Sequence, residues 1–121
     1  MKYKWALKKI DINKISEIIE KFFTCRAFRI KKEKDHEIVK IIAFQRKEQE
    51  ARYVQVVIEK TLNDLTVNFE PGDKIDKLVH WSSFLQFFGG PLALRLYKSY
   101  EFYHKLEEEF WNYLEVEVEK L

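Results

Sequence analysis

The chain has 121 residues, 35% of them charged and 46% hydrophobic, with a formal net charge of +2. That length predicts one domain over residues 1–121, burying about two-thirds of the surface its unfolded chain exposes, and so small a net charge weighs against a dedicated polyanion binder. One cysteine excludes an intrachain disulfide and fits a reducing, cytoplasmic setting, and no continuous apolar stretch of a secretory signal follows Met1-Lys2-Tyr3-Lys4.

The abundance of Lys and Glu beside only 3 Gly and 2 Pro resembles the composition of hyperthermophile proteins. The charges are also unevenly spread. Residues 1–34 hold eleven Lys/Arg against four Asp/Glu, a surplus of +7, and residues 101–121 hold two against seven, a surplus of −5. Two ends of opposite sign are expected to lie together and neutralise each other.

In chain order, Tyr3, Trp5 and Leu7 alternate with Lys2, Lys4, Ala6 and Lys8, the period-2 pattern of a half-buried strand. Asp11 is placed to cap a helix in which Ile15, Ile18, Ile19 and Phe22 share a face. Strands are expected at about 25–31, 37–45, 52–60 and 64–70, joined by short polar connections, which predicts an antiparallel meander. In the last of these Leu65, Val67 and Phe69 alternate with Thr66, Asn68 and Glu70, giving one dry face and one wet one. The middle strands are apolar on both phases, with Ile38, Ile42 and Phe44 opposed to Val39, Ile41 and Ala43, and Val54, Val56 and Ile58 opposed to Tyr53 and Val57. Part of the second face is therefore expected to be covered.

After Pro71-Gly72-Asp73 a helix is expected from about 74 to 88, broken by Gly89-Gly90-Pro91, and then a long helix from about 92 to at least 113. Leu96, Tyr103, Leu106 and Phe110 should form its buried face, against Val54, Val56, Ile58, Leu65, Val67 and Phe69. Leu114, Val116 and Val118 alternate with glutamates and would suit a strand, yet glutamate favours helix, and the tail is read as helix. The resulting fold class is α+β: an antiparallel meander of about four to five strands, with an N-terminal helix and two C-terminal helices packed on one face. A small helix-grip-like arrangement, with a curved sheet around the long C-terminal helix, is the alternative.

Residues 78–94 carry no formal charge. The run is shorter than the roughly 20 residues of a spanning helix, and it is interrupted by His80, Ser82, Ser83 and Gln86. Trp81, Phe84, Leu85, Phe87 and Phe88 are too widely distributed for the single stripe of somewhat over 100° that a helix buries. The surplus points to a subunit interface or to the wall of an apolar cavity.

Chemistry-bearing residues are few. His80 with Ser82 and Ser83 lacks a nucleophile elbow and an identifiable orienting carboxylate, and Cys25 follows a helix instead of opening one, which reads as a small buried strand residue. Glu101, His104 and Glu108 lie along one helical stripe, but a carboxylate-bridged metal site needs further copies of that motif. His36 reads as a turn residue, and no metal or cofactor is expected. Arg26, Arg29, Lys31, Lys32 and Lys34, with Lys2, Lys4, Lys8 and Lys9, form a basic set interleaved with Tyr3, Trp5 and Phe28. Those aromatics take the core-facing phase, which weakens a nucleic-acid reading.

The leading expectation is a non-enzymatic interaction module, homodimeric or part of a complex. Binding of an apolar small molecule between the sheet and the long helix is the alternative, and nucleic-acid binding ranks behind both.

Overall fold

The computed structural model describes residues 2–6, 11–47, 50–61, 64–72, 95–96 and 99–120. Its elements are β1 (Lys2–Ala6), α1 (Ile12–Thr24), β2 (Arg29–Asp35), β3 (Ile38–Lys47), β4 (Glu50–Lys60), β5 (Asp64–Pro71), β6 (Arg95–Leu96) and α2 (Tyr100–Glu119). The four strands β2 to β5 form the expected antiparallel meander, and β1 adds antiparallel to β5, so the sheet runs β1-β5-β4-β3-β2. β1 and β2 thus lie at opposite edges, and α1 carries the chain between them. Its 13 residues extend about 20 Å, close to the width of about 19 Å that four inter-strand spacings give.

The start of α1 follows the sequence reading: Asp11 is its N-cap and accepts a hydrogen bond from the Asn13 backbone N–H at 2.9 Å. Its end does not. The Phe28 N–H donates to the Phe23 carbonyl at 3.0 Å and the Ala27 N–H to that of Thr24 at 3.1 Å, with Ala27 in the left-handed region at φ 63. This is a Schellman closure, completed by the Phe28 ring edge-on to Phe23 at 5.4 Å. β2 therefore begins at Arg29 instead of about residue 25, and Cys25 is exposed beside the helix end, not a buried strand residue.

Cross-strand register puts Ile41, Val56 and Phe69 in one row and Val39, Ile58 and Val67 in the next. These residues, with Ala43, Val54 and Leu65, are buried and form the inner face of the sheet. Ile15, Ile19, Phe22 and Phe23 of α1 and Tyr103, Leu106, Phe110 and Leu114 of α2 join them in one hydrophobic cluster. Phe110 lies near its centre, 5.0 Å from Phe69, 5.3 Å from Phe22 and 5.9 Å from Phe23 between ring centroids.

The long helix begins later than expected. Arg95–Leu96 pairs in parallel with Glu50–Ala51 of β4, and Ser99 caps α2 by accepting from the Phe102 N–H at 3.2 Å. A residue expected within the helix is thus its N-cap, and Leu96 is a strand position, not part of the helix face. The tail is helical through Glu119. Burial continues the 103, 106, 110, 114 spacing, and Val116, from the competing strand pattern, is 53% exposed.

Two helices lie among the described residues, and the helix expected at 74–88 falls outside them, as does the uncharged run 78–94. No helix among the described residues is long and apolar enough to cross a membrane.

Candidate functional site

The face of the sheet turned away from the inner cluster is built from the opposite phase of each strand. Arg29, Phe44 and Tyr53 align in one row, Lys31, Ile42, Gln55 and Glu70 in the next, and Glu33, Lys40, Val57 and Asn68 in a third. Phe44 is 4% and Tyr53 2% exposed, Ile42 and Val57 are half-buried, and Ile38 is 40% exposed. The apolar band therefore grades from buried to open along the strands.

A polar chain crosses this band. The Tyr53 hydroxyl donates to Gln55 Oε1 at 3.2 Å, Gln55 Nε2 donates to Glu70 Oε2 at 2.9 Å, and Asn68 Nδ2 donates to Glu70 Oε1 at 3.0 Å. Burial first, then the charges of Glu70 and Glu33, pushes the Tyr53 phenol up to about 12. It stays protonated near neutral pH and acts as a donor. The sequence pattern does not reveal this chain, because the Gln55–Glu70 contact depends on a cross-strand register fixed by the fold.

The basic residues Arg26, Arg29, Lys31, Lys32 and Lys34 do not form one patch. Arg26 closes the end of α1: its guanidinium stacks on Phe22 at 3.8 Å, donates to the Phe22 carbonyl at 3.1 Å and lies 3.7 Å from Glu109. This last contact joins the basic N-terminal part of the chain to the acidic C-terminal helix. In β2 the side chains alternate between faces. On the helix side Lys32 meets Glu20 at 3.6 Å and Lys34 donates to Asn13 Oδ1 at 3.1 Å; on the second face Arg29 and Lys31 stand with Glu33, which is 3.3 Å from Lys31.

Other candidates are placed as follows. His36 occupies the two-residue turn between β2 and β3, at φ 52 and 3.6 Å from Asp35. His104 stacks on the exposed Tyr100 ring at 5.4 Å and reaches Glu108 at 3.1 Å on the outer side of α2. No group of three or more His, Cys, Asp or Glu placed to hold a metal occurs among the described residues. Trp81, Phe84, Leu85, Phe87 and Phe88, and with them His80, Ser82 and Ser83, lie outside the described residues.

Between the inner sheet face and α2, Phe69, Phe110 and Trp111 pack ring to ring at 4.9–5.0 Å. The Tyr103 hydroxyl reaches the backbone of β4. No protein-family model matches the chain, and no curated protein or solved structure matches it significantly.

Proposed function

We propose that the protein is a non-enzymatic interaction module that works as a homodimer. The supporting observation is the second face of the sheet, where Ile38, Ile42 and Val57 stay partly open beside the buried Phe44 and Tyr53. An antiparallel sheet with one dry face ordinarily turns polar residues outward, and apolar side chains left open among them favour a surface used for association. The composition of Trp81, Phe84, Leu85, Phe87 and Phe88 independently favours an interface or the wall of an apolar pocket.

The alternative, a pocket for an apolar small molecule between sheet and long helix, draws on the same apolar surplus. The close ring packing around Phe110 favours the module instead. The nucleic-acid reading is weakened because its cations divide between two faces and several have carboxylate partners. Native mass spectrometry of the purified protein tests the proposal: a dimer without bound small molecules is expected, and a monomer carrying a lipid-like molecule supports the pocket.

A further inference from the structure

β2 is an edge of the sheet. Among the described residues it pairs with β3 alone, and most of its own residues are exposed. Its open backbone groups can be identified. The Lys60 N–H donates to the Glu37 carbonyl at 2.9 Å, so the polar groups of Glu37 face β4. Those of Ile38 then face β2, where they close the two-residue turn with Asp35. Alternation assigns Asp35, Glu33, Lys31 and Arg29 to hydrogen bonding with β3, and turns the N–H and C=O groups of Lys34, Lys32 and Ile30 toward the open edge.

We infer that this edge is the dimer contact: β2 of one protomer pairs antiparallel with β2 of a second copy about a two-fold axis at Lys32. The inference rests on the homodimer reading above for the oligomeric state, and it places the contact at this edge, beside the apolar side chains of the second face. The order of charges carries it. On the second face β2 presents Arg29, Lys31, Glu33 and Asp35 in sequence, two cations followed by two anions. Pairing about Lys32 sets Arg29 opposite the partner's Asp35 and Lys31 opposite the partner's Glu33, with both contacts repeated by symmetry. A shift of the axis to Lys31 sets lysine against lysine, and a shift to Glu33 sets glutamate against glutamate.

The backbone selects the same register. Lys32 pairs with Lys32 of its partner, and Ile30 with the partner's Lys34, all residues whose N–H and C=O groups face outward. On the helix side the two Lys32 ammonium groups approach the axis, and each already lies 3.6 Å from a Glu20 carboxylate. Charged residues on an edge strand also deter indiscriminate pairing. That role needs charge alone, whereas the self-complementary order favours one partner and one register. The two-fold axis is perpendicular to the sheet, so the second faces of both copies, with Ile38, Ile42 and Phe44, become one continuous surface.

The test uses light scattering on the full chain and on Lys31→Glu and Glu33→Lys, with circular dichroism to show that each variant is folded. Each variant alone sets like charges against each other across the axis, and its dimer should weaken by roughly tenfold or more. An equimolar mixture of the two restores every opposite-charge pair and should give heterodimers. Hydrogen exchange provides a measurement without variants: the amides of Ile30, Lys32 and Lys34 should gain protection as concentration rises. If the full chain dimerises but neither variant weakens the dimer, the edge assignment is overturned and the homodimer reading stands on another surface. A mixture that stays monomeric overturns the register, unchanged exchange at the three amides overturns the edge pairing, and a full chain that is monomeric throughout overturns both readings.

Discussion

The backbone N–H of Tyr53 donates to the hydroxyl of Tyr103 at 3.3 Å, joining β4 to the second turn of α2 across 50 positions of sequence. Gly72 closes the same corner: a Cβ there would lie 2.6 Å from the Tyr53 carbonyl oxygen and 2.7 Å from the Tyr103 hydroxyl. The sheet end, the exit of β5 and the long helix are thereby fixed to one another.

Tyr103→Phe leaves the buried Tyr53 N–H without this acceptor and should cost about 1–3 kcal/mol. Gly72→Ala forces the corner apart and should cost a similar amount, about 1–3 kcal/mol. Chemical denaturation measures both. A Tyr103→Phe variant of unchanged stability would show that the contact only positions the helix.

Phe110→Ala removes the ring shared by both helices and the sheet and should cost about 3–5 kcal/mol. An unchanged melting temperature would mean that another residue holds the centre of the inner face.

Among the described residues, two besides glycine carry positive φ, Ala27 at 63 and His36 at 52. A side chain in the left-handed region costs roughly 1–2 kcal/mol, partly offset by the greater freedom of glycine when unfolded. Ala27→Gly and His36→Gly should therefore each stabilise the fold by about 0.5–1 kcal/mol. Destabilisation by Ala27→Gly would place the Schellman closure elsewhere.

Burial and the nearby Glu70 and Glu33 charges raise the Tyr53 phenol to about 12 from its ordinary 10.0. A phenol harder to ionise in the folded state gives stability that is complete below the unfolded pKa and is lost as pH rises through the folded one. Stability should fall between pH 10 and 12, and Tyr53→Phe should flatten that decline relative to the parent. An identical alkaline limb in both proteins would remove Tyr53 as its source.

The meander, the capped first helix and the buried face Tyr103, Leu106 and Phe110 are legible because period-2 and period-3.6 patterns report burial directly. The end of α1 is not, since its closure uses Ala27 in a conformation usually signalled by glycine. Nor is the start of α2. Leu96 and Ser99 continue the helical spacing in sequence, but pairing of Arg95–Leu96 with β4 and capping by Ser99 decide the boundary. The polar chain from Tyr53 to Glu70 and the open edge of β2 depend on strand register and order, which local pattern does not encode.

Native mass spectrometry across a concentration series tests the association claim most directly. The proposal expects a species at twice the 14.8 kDa chain mass, free of bound small molecules and increasingly populated with concentration. A chain that remains at its monomer mass throughout, whether empty or carrying an apolar molecule, would contradict it.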